Sequence, residues 1–278
     1  MKIARIRHAD GESWGVVDVE AEKVQPLRGE IADWGQAASE GRAEFEYDGP
    51  ALPLGSVRLL APMTPTTTIV GVGMNYWTHL EKLGVTERPA TTQGFLKPRT
   101  AIIGHEEELA YPRITEQLDY EVELVVVLAR PVSGPGDNLT DAVLGYTVGN
   151  DVSARDTPSP LGGFDLFSMK ALNKATPVGP WITTKDEFGG SGQIDVEISL
   201  RVNGEQRQCD RTKKMIWSLD ECIDYVARRM DLEAGDLLFT GTTNGVAFED
   251  GRWLVPGDVV EAEVEGVGVL RNTVGPRP

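Results

Sequence analysis

The sequence predicts an α+β fold that is rich in β-strands and preceded by a small N-terminal domain. Short segments of β-branched or alternating apolar residues, separated by polar turns, run through most of the chain. Residues 218–230 alone combine a capping box with an apolar stripe at helical spacing, which predicts one confident amphipathic helix. The strands are not followed by regularly spaced helices, so a repeated βαβ architecture is not expected.

The first unit, residues 1–55, is predicted to be a small domain of short strands. Apolar alternation indicates strands near residues 2–7, 14–19 and 24–27, and a short helix covers residues 31–39. Glycine and proline are frequent in residues 49–55, which is typical of a linker. Residues 56–278 then form the larger domain, where the candidate functional residues lie.

Composition limits the classes of partner. The chain has 278 residues, 40% of them hydrophobic, and a net charge of −16. Such a charge argues against nucleic acid or an anionic membrane as partner, because both are negative. The N-terminus alternates like a strand and does not resemble a signal peptide, and no apolar run is long enough to cross a bilayer. We therefore expect a cytoplasmic protein.

A central strand is predicted over residues 118–128, and two acidic residues lie near its start. Glu121 and Glu123 are two residues apart, so their side chains point to the same face about 6.5 Å apart at Cα. Carboxylates this close beside an apolar run repel each other and favour a divalent cation with oxygen ligands. The alternative is that one glutamate faces solvent and the other pairs with Arg or Lys.

A third carboxylate follows the next apolar strand. Asp151 lies directly after residues 145–150 and is placed to reach a cation held by the two glutamates. Three carboxylates leave positions for water or a chelating substrate, which suits Mg²⁺ or Mn²⁺, with Ca²⁺ as an alternative. Upstream, a Gly-x-Gly turn leads to Tyr76 and not to a third glycine, so this loop is predicted to present Tyr76 and His79 and not to bind a dinucleotide.

Nine short motifs occur in the order found in the fumarylacetoacetate hydrolase superfamily, and together they resemble its acylpyruvase and fumarylpyruvate hydrolase-like branch. They cover the chain from about residue 58 to the C-terminus. The motifs are Gly71-x-Gly73-x-Asn75-Tyr76-x-x-His79, Phe95-x-Lys97-Pro98, Asp119-Tyr120-Glu121-x-Glu123-Leu124, Gly145-Tyr146-x-x-x-Asn150-Asp151-x-Ser153-Ala154-Arg155-Asp156, Lys170 before Pro177-x-Gly179-Pro180-Trp181, Asn203-Gly204-Glu205, Gly235-Asp236, Thr240-Gly241-Thr242 and Pro256-Gly257-Asp258.

This resemblance implies a mixed β-sandwich roll, a homodimer, and a divalent cation bound by Glu121, Glu123 and Asp151. Substrates in the superfamily are small 2-oxo or 1,3-dicarbonyl acids. The resemblance further implies that Lys170 stabilises developing negative charge and that His79, on a lid, activates water or moves a proton.

The resemblance also implies a set of substrate contacts at matching positions. These are Tyr76, Lys97, Arg155 and Thr242. The chain departs from its relatives in the lid, where Lys82 occupies the position of a glutamate that commonly partners the histidine. Glu81, one residue earlier, is the candidate replacement and is included among the expected catalytic residues.

The predicted function is hydrolytic cleavage of a C–C bond in a 2-oxo or 1,3-dicarbonyl acid through an enolate. An oxaloacetate-type decarboxylase, an isomerase and a dehydratase are alternatives on the same scaffold, and a non-catalytic metal-binding protein is a further one. Pro158 occupies a position where relatives commonly have a substrate-contacting glutamine. Together with Lys82, it predicts poor hydrolysis of simple acylpyruvates and better activity on a bulkier substrate or without an attacking water.

Overall fold

The computed structural model describes residues 1–82, 84–190 and 193–278. The strands are β1 (Lys2–His8), β2 (Gly11–Asp18), β3 (Lys23–Leu27), β4 (Leu52–Pro53), β5 (Arg58–Leu60), β6 (Ile69–Gly73), β7 (Gln93–Leu96), β8 (Ile102–Ile103), β9 (Glu108–Leu109), β10 (Leu118–Asp119), β11 (Val122–Leu128), β12 (Val143–Asn150), β13 (Ser153–Ala154), β14 (Thr176–Thr184), β15 (Glu197–Val202), β16 (Glu205–Arg211), β17 (Leu237–Phe239), β18 (Val259–Val264) and β19 (Gly268–Val274). The α-helices are α1 (Ile31–Ser39), α2 (Trp77–Lys82), α3 (Leu166–Lys170), α4 (Leu219–Ala227) and α5 (Ala247–Asp250).

A large mixed sheet forms the centre of the described structure. Its main path runs β4-β3-β2-β1-β14-β12-β11-β17-β6-β7, and β17 is parallel to β6 whereas the other neighbours on this path are antiparallel. A second sheet has the order β16-β15-β18-β19-β9, and β10 pairs with β13. The prediction of a β-rich α+β fold with mixed sheets is confirmed.

Strand β11 is apolar throughout because it is covered on both faces. Leu124 and Val126 belong to a core cluster shared with β15, β18 and α4. Val125 and Val127, which point the other way, belong to a second cluster with α1, β14 and β17. A strand buried on both sides requires an uninterrupted apolar run instead of alternation, as the sequence has here.

The predicted N-terminal elements are present, with β1 to β3 and α1 within three residues of the expected bounds. They do not form a separate sheet, because β1 pairs with β14 of the main sheet through Lys2↔Thr183 and Ile3↔Ile182. The boundary between residues 55 and 56 stays a prediction. No helix among the described residues is long and apolar enough to span a membrane.

Helix α4 begins as predicted. Ser218 Oγ accepts a hydrogen bond from Glu221 N at 3.2 Å, and Ser218 N donates to Glu221 Oε2 at 2.8 Å. The sequence of residues 137–144 also predicts a short helix, and this prediction is wrong. A short 3-10 turn spans Leu139–Ala142, and β12 begins at Val143 because the β-branched run that follows pairs with β11.

The central strand is also interrupted, which the sequence did not reveal. Residues 118–119 pair with β13, whereas pairing with β12 begins only at Val122↔Asn150. Between these ladders, Glu121 N donates to Asn150 Oδ1 at 2.9 Å and Asp151 N donates to the Glu121 carbonyl at 2.9 Å. Because of this interruption, Glu121 and Asp151 lie outside the regular ladder, at the same end of β11 and β12.

Candidate active site and metal centre

Three buried carboxylates meet at this end of the β11–β12 pair. Glu121 precedes β11, Glu123 lies inside it and Asp151 follows β12. Because the two strands are antiparallel, the start of one and the end of the other lie side by side. One carboxylate oxygen from each residue lies within 4.8 Å of the others, and all three side chains are buried.

Two lysines and one arginine surround these carboxylates. Lys170, at the end of α3, donates to Asp151 Oδ2 at 2.5 Å, Glu121 Oε2 at 2.8 Å and Ser153 Oγ at 2.7 Å. Lys97, directly after β7, pairs with the other oxygen of Asp151. The three donors of the Lys170 ammonium are therefore engaged.

The guanidinium of Arg155 connects the carboxylates to a fourth buried acid. Its Nε donates to Asp119 Oδ2 at 2.8 Å, and its Nη2 pairs with Glu121. The Asp119 carboxylate also accepts from two backbone N–H groups of α5, Ala247 at 2.6 Å and Phe248 at 3.2 Å, and from Tyr120 N at 2.8 Å. Asp119 thereby fixes both Arg155 and a short helix at the cavity.

Burial and neighbouring charge affect the titrating groups differently. Burial opposes ionisation of Glu121, but the positive charges of Lys170 and Arg155 outweigh it and hold the pKa of this carboxyl below its usual range. Burial also opposes the charged form of Lys170, yet Asp151 and Glu121 raise its pKa. The pKa of Lys97 is lowered, because burial exceeds the attraction of Asp151.

Among the three clustered carboxylates, Glu123 is the one that forms no ion pair with a described lysine or arginine. Burial, and then repulsion from Asp151 and Glu121, raises the pKa of its carboxyl well above the usual range. Its Oε2 accepts a hydrogen bond from Gly241 N at 2.7 Å. Gly241 has φ +96°, and a Cβ there would lie 2.8 Å from Asn75 Cβ, so glycine is required for this close approach.

These observations test whether the residues fit a divalent cation. Oxygen donors from three carboxylates suit a hard cation, and a positive charge between them would relieve the repulsion at Glu123. Among the described ion pairs, Lys97, Lys170 and Arg155 contact Glu121 and Asp151 but none contacts Glu123. The cluster can hold a divalent cation.

The carboxylates form the inner end of a cavity of about 380 Å³, within the usual range for ligand sites. In the part of the chain that the structure describes, the cavity is lined by Val72, Gly73, Met74, His79, Gln93, Phe95, Glu121, Glu123, Asp151, Arg155, Gly162, Gly163, Phe164, Leu166, Met169, Lys170, Gly241, Thr242 and Phe248.

The outer end of the cavity is formed by exposed and half-buried residues that are mostly apolar, with Gln93 as the polar side chain among them. Met74, Phe164, Leu166 and Phe248 form what we term the apolar wall. The rings of Phe164 and Phe248 pack edge to face with centroids 5.6 Å apart. Even so, Phe164 is 40% exposed and Phe248 is 43% exposed. The wall is therefore built from three separate segments, which are the loop after β6, residues 164–166 at the start of α3, and helix α5.

Phe95 lies between the two ends of the cavity. Strand β7 places it opposite Gly71 of β6, where a Cβ would meet the ring at 2.3 Å, so glycine is needed at that position. The ring centroid of Phe95 lies 5.3 Å from Lys170 Nζ, a distance typical of a cation–π contact.

His79 lies on α2 and faces the cavity. Its Nδ1 is 3.5 Å from Glu249 Oε1 of α5, and it has no hydrogen-bond partner within the described residues. The other oxygen of Glu249 accepts from Gly245 N at 3.1 Å. Glu81, expected as the partner of His79, is exposed on α2, so the carboxylate near the imidazole comes from a different element.

The expected substrate contacts have different locations. Arg155 and Thr242 line the cavity. Lys97 is buried behind Asp151 and does not line it, and Tyr76 is completely buried in the apolar core, bridging to Met215. Thr242 Oγ1 donates to the Val122 carbonyl at 2.8 Å and accepts from Gln208, so its hydroxyl also anchors β11.

Sequence reasoning missed the contribution of α5. Phe248 and Glu249 follow a Gly-Thr-Thr-Asn-Gly turn and belong to a helix of only four residues, too short for a periodic pattern to predict. Asp119 and Phe95 lay inside recognised motifs, but nothing in their spacing indicated that Asp119 would hold α5.

Two family models match the chain. The model described as "Fumarylacetoacetate (FAA) hydrolase C-terminal" matches residues 68–275. The model described as "Rv2993c-like, N-terminal" matches residues 1–62.

Three relatives of this chain are named for different activities. The oxaloacetate tautomerase YisK of Bacillus subtilis is 34% identical over 254 residues, which cover 88% of this chain and 81% of YisK. The solved structure of 5-carboxymethyl-2-hydroxymuconate delta-isomerase from Mycobacterium smegmatis has a TM-score of 0.83 and 31% identity, with complete coverage of both chains. Fumarylacetoacetate hydrolase from Exiguobacterium antarcticum has a TM-score of 0.80 and 32% identity, also with complete coverage.

Proposed function

Because this chain belongs to the fumarylacetoacetate hydrolase family, we propose that it is a divalent-metal-dependent enzyme that interconverts the keto and enol forms, or double-bond isomers, of a 2-oxo acid. The observation that carries the proposal is the single cavity in which the three carboxylates, Lys170 and His79 meet. A tautomerase and an isomerase among the relatives support proton transfer as the reaction.

The inner end of the cavity binds the 2-oxo acid group of the substrate. Glu121, Glu123 and Asp151 would hold Mg²⁺ or Mn²⁺, which when bound supplies Lewis-acid polarisation of the 2-oxo group. Arg155 lines the cavity beside Glu121 and has guanidinium N–H donors beyond those used by its two acids. We assign to it the carboxylate of the 2-oxo acid.

Lys170 and His79 carry out proton transfer together, with Lys170 stabilising charge and His79 moving the proton. Breaking the C–H bond next to the 2-oxo group leaves an electron pair that moves toward the oxygen, and the buried ammonium of Lys170 stabilises that charge. The imidazole of His79 takes the proton from carbon and delivers it to oxygen, or returns it to another carbon. Neither outcome requires an attacking water.

Hydrolytic C–C cleavage is the second candidate, and Glu249 favours it. A carboxylate that orients His79 would help this imidazole activate water. The 3.5 Å separation from Glu249 lies beyond ordinary hydrogen-bond length, so this geometry supports water activation less strongly than a formed hydrogen bond would. Proton transfer is therefore placed first.

The test uses chelator-treated protein to which Mg²⁺ or Mn²⁺ is returned. Loss of the ultraviolet absorbance of enol-oxaloacetate measures tautomerisation, and acetylpyruvate consumption measures hydrolysis. We expect metal-dependent tautomerisation that is faster than acetylpyruvate hydrolysis and is lost in His79→Ala. Faster hydrolysis than tautomerisation would favour the second candidate, whereas no metal-dependent turnover of either compound would contradict the proposal.

A further inference from the structure

The two ends of the cavity differ in a way that bears on the substrate. The inner end holds the carboxylates and their cations, whereas the mouth is formed by the apolar wall. From this division we propose that the enzyme takes a 2-oxo acid whose distal group is apolar, such as an aryl or branched alkyl group, instead of a second carboxylate. The inference rests on the proposed function, because the inner end must bind the 2-oxo acid head.

The first argument is the position of the cations. Among the described residues that line the cavity, the lysine and arginine side chains are those of Lys170 and Arg155. The Lys170 side chain is only 6% exposed and that of Arg155 only 8%. Lys170 uses its three donors within the protein. Arg155 Cζ lies 5.7 Å from the ring centroid of Phe248, but its guanidinium pairs with Asp119 and Glu121 and is assigned to the head of the substrate. A carboxylate at the mouth would therefore lose its water without gaining a cationic partner of its own.

The segments that carry the two aromatic residues of the apolar wall are negatively charged. Asp165 follows Phe164 and Glu249 follows Phe248, so each of the two aromatic residues has an acidic neighbour in the sequence. Arg88, in the segment before β7, pairs with Glu221 at 2.6 Å and does not line the cavity. Asp165 and Glu249 do not line the cavity either, but they make the segments that carry the two rings negative, which does not favour a second carboxylate there.

The third argument is the exposure of the wall itself. Met74, Phe164 and Phe248 are each at least 40% exposed although they face a cavity. Apolar surface in a concave site is the usual binding surface for an apolar ligand group. The edge-to-face pair of Phe164 and Phe248 offers aromatic surface to a ring at the distal end of the substrate.

Phe164→Ala tests this inference, and Phe167→Ala is its matched control. Phe167 lies three residues away and is 80% exposed, but it does not line the cavity. With Mg²⁺ present, we expect wild-type kcat/KM to be higher for phenylpyruvate tautomerisation than for oxaloacetate tautomerisation. Phe164→Ala should lower the phenylpyruvate value about tenfold, mainly through KM, as expected for loss of an apolar contact, and Phe167→Ala should leave both values unchanged.

A charge-introducing variant tests the converse. Phe164→Arg places a cation at the mouth, so it should lower kcat/KM for phenylpyruvate and raise it for oxaloacetate, reversing the preference. A wild-type preference for oxaloacetate, with equal losses on both substrates in Phe164→Ala, would overturn the inference while leaving the proposed function intact.

Binding of unreactive analogues provides a readout that does not depend on turnover. Oxanilate has a phenyl ring where N-oxalylglycine has a second carboxylate, and both share an oxamate head. Calorimetry in Mg²⁺ should show tighter binding of oxanilate, with the difference reduced about tenfold in Phe164→Ala. Tighter binding of N-oxalylglycine to the wild type would overturn the inference. If oxanilate binds tighter but neither 2-oxo acid turns over, the proposed function fails while the inference on the distal group holds.

Discussion

The inner and outer ends of the cavity are built in different ways. The inner carboxylates project from the ends of β11 and β12, in the middle of the main sheet, and β11 is buried on both faces. The residues of the apolar wall lie in the loop after β6, around the start of α3 and on α5, which are short segments and partly exposed. A buried centre of carboxylates and cations is therefore combined with a mouth built from loops and short helices, where substitutions are tolerated better than in the sheet.

The largest effect is expected at Glu123, inside the buried centre. Glu123→Gln removes one metal-ligand charge but keeps an oxygen for the hydrogen bond from Gly241. We expect metal-dependent turnover to be abolished, together with the stabilisation by Mg²⁺ in thermal unfolding. In chelator the variant should be at least as stable as the wild type, because repulsion from Glu121 and Asp151 is reduced. Mg²⁺ binding of wild-type affinity, measured by calorimetry, would contradict the assigned ligand set.

Lys170→Met should show the next largest effect. Loss of one donor that stabilises developing negative charge typically lowers kcat by about 10²–10³-fold. In chelator, Glu121 and Asp151 would also lose a buried partner, so the free energy of unfolding in urea should fall by about 3–5 kcal/mol. Saturating Mg²⁺ should restore part of that loss, because it binds the same carboxylates. A variant with normal kcat would remove Lys170 from the mechanism.

Asp119→Asn tests the connection between the two ends. Asp119 holds Arg155 on one side and the first N–H groups of α5 on the other. A small displacement of these groups should lower kcat/KM by about 10–100-fold, without abolishing Mg²⁺ binding. Asp250→Asn is the control, because Asp250 lies on the same helix but pairs with Arg252 near the surface. Equal losses in both variants would indicate general damage to α5 instead of a specific connection.

The two ends also differ in how well the sequence predicted them. The clustering of Glu121, Glu123 and Asp151 was predictable because these residues lie near the ends of apolar strands, and the structure brings their carboxylates together as expected. The break before β11 was not predictable, since it depends on hydrogen bonds between Glu121 and residues 150–151, about thirty positions away. For the carboxylate partner of His79, proximity in the sequence suggested Glu81. In the structure, α5 lies against α2 and places Glu249 beside His79 instead.

The smallest expected effect distinguishes these two glutamates. Glu249→Gln keeps the side-chain size and an acceptor for Gly245 N, but removes the charge beside His79. Because the imidazole itself remains, we expect kcat to fall about tenfold with little change in KM, which is less than the 10²–10⁴-fold typical of losing an acid–base group. In His79→Ala, the same substitution should have no further effect, since a positioning residue acts only through its partner. Glu81→Gln, on the exposed face of α2, should leave kcat unchanged. If Glu81→Gln lowers kcat and Glu249→Gln does not, the lid must rearrange during turnover so that Glu81 reaches His79, and the partner expected from the sequence would be the functional one.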